Sequence, residues 1–248
     1  MKILIVTGIK EELRPILEQH PFDFDKQYRF YRSKETPSIY AGTLGPGLKR
    51  TRDLEKFLTF FEPEVIINAG LVGILNDDDP LQPGDLLKLG TIYDTKSGLQ
   101  YPGGPGRDIL VTVDRPVFQP WEKMELHVEY LRARACDMEA GRLLKFTGQL
   151  PNIKYKTHIV FCKVVGDRPE AYLLYENEHL IRNWEKFSLL KKIWVSLRFP
   201  GGPFQLKNLL NYKHRALASL TYHINMTVIN LLKENRIPPG MNSVFIPH

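Results

Sequence analysis

Apolar positions follow two different periods along the chain. Short apolar runs bounded by Gly, Pro or polar residues predict strands, and apolar residues at steps of three or four predict helices. The predicted strands cover 2–8, 28–32, 38–41, 64–69, 86–93, 108–113 and 157–165, and the predicted helices cover 11–19, 51–61, 138–146 and 216–234. This alternation predicts one α/β domain over residues 1–248, with a central, mixed and mostly parallel twisted sheet between helices, and a loop at 98–107.

One segment, 171–213, interrupts this pattern, and we interpret it as an insertion. Within it, residues 180–199 combine Trp, Phe and Leu at helical steps with Lys and Arg, which predicts an amphipathic helix ended by Pro200. Such a helix could pack on its own domain or on a partner subunit, contact an anionic membrane, or form a lid over an active site. The sequence leaves these alternatives open.

Charge and cysteine content narrow the class of protein. The net charge is +6, but residues 182–215 hold eight Lys or Arg against one acid, so the basic character belongs to that segment. This distribution argues against a nucleic-acid-binding domain. Two cysteines, Cys136 and Cys162, are too few for a disulfide framework and match no zinc-ligand spacing. The pattern shows neither a signal peptide nor a membrane span, and together with the low cysteine content this predicts a cytoplasmic protein. We also expect the protein to use no metal and no cofactor.

Three acids lie where α/β sheets bind ligands, at the carboxyl ends of strands. Glu12 follows the first predicted strand, Glu139 lies at the start of the helix 138–146, and Asp167 follows the strand 157–165. Converging carboxylates are suited to cleaving a glycosidic bond, since one can protonate the leaving group and another can activate water. Helix-dipole stabilisation could instead explain Glu12 and Glu139, and a turn could explain Asp167.

Four segments in order (2–13, 63–86, 136–141 and 164–167) make the chain similar to the nucleoside phosphorylase/nucleosidase superfamily. The resemblance covers residues 1–170 and the final helix, and is closest to the hydrolytic branch that includes methylthioadenosine/S-adenosylhomocysteine nucleosidase. It implies a nucleoside phosphorylase-like three-layer α/β/α fold. It also implies a homodimer that hydrolyses the N-glycosidic bond of a purine nucleoside, either methylthioadenosine-like or another 5′-substituted adenosine.

The resemblance also assigns roles to residues of this chain. Asp167 matches the acid that protonates the base, Glu12 the group that activates water, Glu139 the carboxylate that binds the ribose hydroxyls, and Met138 the side chain packed on the sugar. The remaining substrate-binding positions that it implies are Gly70, Leu71, Val117, Phe118 and Gly166.

Some positions depart from the family pattern. The family's Gly-Ser-Ala-Gly turn corresponds to Gly70-Leu71-Val72-Gly73 in this chain. Gly166 stands where the family usually has a serine, and Lys163 stands where it usually has an arginine. These changes leave the substrate open.

The sequence also indicates whether water or phosphate attacks the sugar. The first loop, residues 8–12, carries acids where a phosphate dianion would need cations, so water is favoured over phosphate. A phosphorylase of the same fold and a catalytically silent nucleoside-binding protein remain alternatives. Lys49, Arg50 and Arg52 could form an anion site or simply a solvated helix start.

Overall fold

The computed structural model describes residues 1–117, 119–154, 156–168, 202–236 and 243–245. Across these residues, eleven strands form one sheet in the order β2-β3-β4-β1-β5-β9-β8-β6-β7, with β10 on β5 and β11 on β10. The strands are β1 (Ile3–Thr7), β2 (Phe22–Asp25), β3 (Phe30–Ser33), β4 (Ile39–Thr43), β5 (Val65–Ile74), β6 (Leu89–Asp94), β7 (Leu99–Pro102), β8 (Asp108–Thr112), β9 (Ala135–Asp137), β10 (His158–Asp167) and β11 (Ser243–Phe245).

Helices cover both faces of this sheet, as expected. They are α1 (Lys10–Gln19), α2 (Thr51–Phe61), α3 (Pro120–Glu129), α4 (Ala140–Gly148), α5 (Pro151–Lys154) and α6 (Gly202–Glu234). Apolar residues of α2, α4 and α5 pack into one core cluster, and those of α1 and α6 into a second. The predicted α/β/α layering with a mixed sheet is therefore confirmed.

Parallel pairing predominates in the residues that are paired, as expected, but not in the number of strand pairs. Among the described strands, five pairings are parallel and five are antiparallel. The difference comes mainly from hairpins at the edges, where β2–β3 and β6–β7 add short antiparallel strands. The stretch 98–107, predicted as a loop, contains β7.

Two central strands run further than their apolar runs predict. The residues Gly70 to Gly73 belong to β5 and form no turn, and β10 continues to Asp167. The two strands pair in parallel register from His158↔Val65 to Asp167↔Gly73, with an irregularity just before Asp167. Each strand supplies the other's backbone hydrogen bonds, so glycines that weaken a strand on their own stay extended here.

The final helix is longer than its predicted span of 216–234. It begins at Gly202, so the last residues of the predicted insertion 171–213 are continuous with α6. The predicted amphipathic helix at 180–199 lies outside the described residues, as does Phe118. Within the described part, none of the helices is long and apolar enough to cross a membrane.

Candidate active site

The candidate site forms where one edge of β5 changes partner. β1 pairs with β5 only as far as Asn68, and β9 takes over the same edge at Gly73. β10 follows the opposite edge throughout. The stretch between Asn68 and Gly73 therefore lacks a strand neighbour on one side, and its backbone groups need other partners.

Glu12 supplies one of those partners. It lies in the first turn of α1, and its Oε1 accepts a hydrogen bond of 2.8 Å from the N–H of Leu71. Its Oε2 accepts from the N–H groups of Gly8, at 3.0 Å, and Ile9, at 3.1 Å. The side chain is buried. Burial raises the pKa of Glu12, although the three N–H donors and Lys163 act in the opposite direction.

A buried ion pair crosses over β5 beside this carboxylate. Lys163 on β10 places its Nζ 2.7 Å from Oδ2 of Asp137 on β9, and both side chains are fully buried. Asp137 also accepts hydrogen bonds from the Thr112 hydroxyl and the Ala140 N–H. Burial works to lower the pKa of Lys163, but Asp137, followed by Glu139 and Glu12, raises it overall. Lys163 is therefore a fixed ammonium within an acidic group.

Glu139 is the N-cap residue of α4, and it lies close enough to Asp137, Lys163 and Glu12 for their charges to act on it. Its Oε1 accepts a 3.3 Å hydrogen bond from the N–H of Gly47. Its carboxyl group touches Gly8 so closely that a Cβ there would lie 2.8 Å away. Burial first, then Asp137 and Glu12, raise the pKa of Glu139 to about 7, against the opposing effects of Lys163 and Gly47. We call Glu12, Asp137, Glu139 and Lys163 the Lys163 cluster.

Asp167 belongs to a second group, further along β5. Its Oδ2 lies 3.2 Å from Nζ of Lys123 on α3, and the exposed side-chain fractions are 16% for Asp167 and 1% for Lys123. We call these two residues the Asp167 pair. Asp167 and Lys123 lie beside Gly73, whereas Glu12 and Lys163 of the cluster lie beside Gly70. These glycines are three positions apart along β5, about 10 Å in extended chain, so the two groups adjoin different parts of the strand.

The two glycines of β5 make room for these groups. A Cβ at Gly73 would lie 2.5 Å from Oδ1 of Asp167, which is a clash, and 3.3 Å from Nζ of Lys123. A Cβ at Gly70 would lie 3.3 Å from Oε1 of Glu12 and 3.5 Å from Nζ of Lys163. Gly73 therefore tolerates a side chain less well than Gly70.

Solved structures of nucleosidases share this arrangement of strands and helices. The structure of futalosine hydrolase from Helicobacter pylori superposes with a TM-score of 0.56 at 16% identity, over 71% of this chain and 89% of its own. Methylthioadenosine/S-adenosylhomocysteine nucleosidase from the same organism, crystallised with butyl-thio-DADMe-Immucillin-A, superposes with a TM-score of 0.60 at 15% identity, over 91% of this chain and 98% of its own. The structure of the same type of nucleosidase from Chlamydia trachomatis superposes with a TM-score of 0.54 at 16% identity, over 93% of this chain and 98% of its own. The chain has the nucleoside phosphorylase/nucleosidase fold. No protein-family model and no curated protein sequence matches it.

Two predicted binding residues that depart from the family pattern, Gly166 and Leu71, are neighbours. They are in contact across β10 and β5, and a Cβ at Gly166 would lie 2.8 Å from Cβ of Leu71. Any side chain at 166 would therefore collide with Leu71.

The other residues predicted from the sequence belong to neither the Lys163 cluster nor the Asp167 pair. Met138 and Val117 are half-buried against a small core of Leu75, Val111 and neighbouring residues. Arg50 bonds to Asp53 and to the Thr43 carbonyl, while Lys49 and Arg52 are exposed at the start of α2. Within the described residues there is no cluster of His, Cys, Asp or Glu that could hold a metal ion.

Two residues of the site were missed from the sequence. Asp137 directly precedes the predicted pair Met138 and Glu139, and its position within that motif was a usable signal. Lys123 lies on α3, a helix whose apolar pattern is too weak to predict it. No sequence spacing connects Lys123 to Asp167, because the chain crosses β9, α4 and β10 between them.

Proposed function

We propose that this protein is a nucleosidase, which hydrolyses the N-glycosidic bond of a purine nucleoside and releases the base. The observation that carries the proposal is the pairing of two acid groups along one strand. The Lys163 cluster offers Glu12 beside Gly70 and Glu139 beside Gly8, and Asp167 lies, partly accessible, beside Gly73. A nucleoside has a sugar at one end and a base at the other, which matches this division.

The proposed roles follow from the surroundings of each group. Glu139, which is only half-buried whereas Glu12 and Asp137 are buried, accepts hydrogen bonds from the ribose hydroxyls. Glu12, whose oxygens are fixed by three backbone N–H groups, takes the proton of the attacking water. Asp167, in its protonated form, gives that proton to the base as the sugar–nitrogen bond breaks and its electron pair moves to the base. The water oxygen forms the new bond to the sugar carbon, and the products are the free base and the free sugar.

The charge of the cluster supports water over phosphate as the nucleophile. Glu12, Asp137 and Glu139 surround a single buried ammonium, that of Lys163. A phosphate dianion entering here would meet carboxyl groups, and its repulsion would be strong in a buried site. Water meets no such barrier. The substrate that we propose is a 5′-substituted purine nucleoside.

A nucleoside panel tests the reaction class. Wild-type protein is incubated with purine nucleosides that carry different 5′-groups, in buffer with and without phosphate, and the released base is followed by chromatography. We expect release at equal rates in both buffers. Release that requires phosphate would identify a phosphorylase, and binding without release from any nucleoside would identify a silent binding protein.

We also propose a homodimer. The outer face of α3 exposes Trp121, Met124 and Val128, with exposed fractions of 60%, 42% and 71%. Large apolar side chains clustered on one exposed helix face are typical of an interaction surface. The same helix turns Lys123 inward to Asp167, so a dimer through this face would also support the site.

A further inference from the structure

The orientation of Glu139 depends on one loop. Among the described residues, the N–H of Gly47 is the only hydrogen-bond donor to the Glu139 carboxyl group, at 3.3 Å, whereas the oxygens of Glu12 accept from three N–H groups. A distance of 3.3 Å is at the long end for such a bond, so a small movement of the donor breaks it. The direction of the Glu139 carboxyl group therefore follows the position of Gly47.

The carbonyl group of Gly47 is held by the same helix as its N–H. The carbonyl oxygen accepts a hydrogen bond of 3.3 Å from Nη1 of Arg142. Arg142 lies three residues after Glu139, and residues at that spacing are neighbours on the surface of a helix. Both polar groups of Gly47 thus bind to the first turn of α4.

The guanidinium group of Arg142 is itself fixed by two carboxylates. Its Nη2 donates a hydrogen bond to Asp114, its Nε lies 4.0 Å from Oδ1 of Asp94, and its side chain is 12% exposed. These carboxylates already balance the charge of Arg142, so the bond to Gly47 is a further use of its rigid fork of donors. Gly47 has a φ of +67°, and a Cβ there would lie 2.5 Å from Nη1 of Arg142. Glycine is the residue that permits this close approach.

We infer that Arg142 is a positioning residue for Glu139 that acts through Gly47. By holding the Gly47 carbonyl, Arg142 keeps the Gly47 N–H on Oε1 of Glu139 and leaves the other carboxyl oxygen for the ribose hydroxyls. The inference rests on the proposed function, in which Glu139 binds the ribose. Arg142 itself takes no part in the bond cleavage.

The ionisation of Glu139 reports this contact. Burial first, then Asp137 and Glu12, raise the pKa of Glu139 to about 7. Lys163 and the N–H of Gly47 oppose this rise. Because loss of the Gly47 N–H removes one of the opposing effects, it raises the pKa of Glu139 further. A residue that only stabilised the fold would leave this pKa unchanged.

A titration of Glu139 tests the inference without any substrate. The carboxyl carbon of Glu139 is followed by carbon-13 NMR across the neutral pH range in the wild type and in Arg142→Met, and Glu139→Gln assigns the signal. We expect the midpoint in Arg142→Met to move to higher pH by about half a unit or more, the equivalent of one weak hydrogen bond. Lys145→Met, which removes an exposed charge from the same helix, is the matched control and should keep the wild-type midpoint. An unchanged or lower midpoint in folded Arg142→Met would overturn the inference.

A second variant separates position from charge. Gly47→Ala keeps the charge of Arg142 but places a methyl group 2.5 Å from its Nη1, which displaces the loop. We expect a shift in the same direction as in Arg142→Met. A wild-type midpoint in Gly47→Ala would mean that Arg142 acts through its charge alone, and would refute the inference. If Arg142→Met does not fold, Gly47→Ala decides by itself.

Kinetics distinguish this inference from the proposed function. The acid limb of kcat/KM should move with the NMR midpoint, so that kcat/KM well below that midpoint falls about threefold or more in both variants, the equivalent of half a pH unit. A limb that stays in place while the NMR midpoint moves would contradict the role of Glu139 in binding ribose. No base release from any nucleoside would contradict the proposed function, while the NMR titration would still decide whether Arg142 positions Glu139.

Discussion

The Glu139 carboxyl group changes charge near neutral pH, because burial and its acidic neighbours raise its pKa to about 7. Below that value it carries a proton, and above it both oxygens accept hydrogen bonds. If it binds ribose in the ionised form, kcat/KM should rise with pH through about 7, since this parameter reports the free enzyme.

Glu139→Gln should lower kcat/KM and remove this acid limb from the pH profile. Glu55→Gln, at an exposed position of α2, should retain it. A limb of the same midpoint in Glu139→Gln would assign the titration to another group and refute this role for Glu139.

Substitution should be tolerated less well at Glu12 than at Glu139, since both oxygens of Glu12 accept backbone hydrogen bonds. Glu12→Gln would turn an NH₂ group towards one of these N–H donors. We expect loss of base release together with about 1–3 kcal/mol of unfolding free energy, the cost of a buried unsatisfied donor. Glu11→Gln, one residue earlier and exposed, is the control for both measurements. Full activity of Glu12→Gln would exclude it as the group that activates water.

At the scale of elements, the second half of β5 positions the whole site. Gly73→Ala would place a methyl group 2.5 Å from Oδ1 of Asp167, whereas Gly70→Ala would meet Glu12 at 3.3 Å. We expect Gly73→Ala to reduce kcat far more than Gly70→Ala, with both proteins retaining their far-ultraviolet circular dichroism. The reverse order would mean that the Asp167 pair lies outside the reacting centre.

The same strand shows how far a sequence predicts structure. The apolar run up to Ala69 predicts the buried half of β5, and the amphipathic pattern of α2 predicts Thr51–Phe61. The half that carries the site is rich in glycine and stays extended only because β10 pairs with it. Glu12 and Glu139 could be found as candidates because each lies in the first turn of a predicted helix, and Asp167 because it comes just after a predicted strand. Lys123 could not, since only the packing of α3 brings it to Asp167.

At the scale of the molecule, the exposed face of α3 leads to a prediction about assembly. Sedimentation of the wild type at micromolar concentration should give twice the mass of one 28.7 kDa chain. Val128→Glu, which places a charge in that face, should give the single chain, and Glu55→Gln should leave the dimer unchanged. A wild type that sediments only at 28.7 kDa would contradict the homodimer. Peripheral membrane contact through 180–199 stays a prediction, as does a cytoplasmic location.

The most direct test of the account is base release in phosphate-free buffer by the wild type and by Asp167→Asn. The amide is nearly the same shape as the carboxyl group but delivers no proton, and general acid catalysis contributes about 10²–10⁴-fold. We predict that the wild type releases the base and that the variant, folded to the same thermal midpoint, loses at least about a hundredfold in rate. A folded variant with more than about a tenth of the wild-type rate, measured against the lower end of that range, would contradict the assignment of Asp167 and with it the proposed reaction.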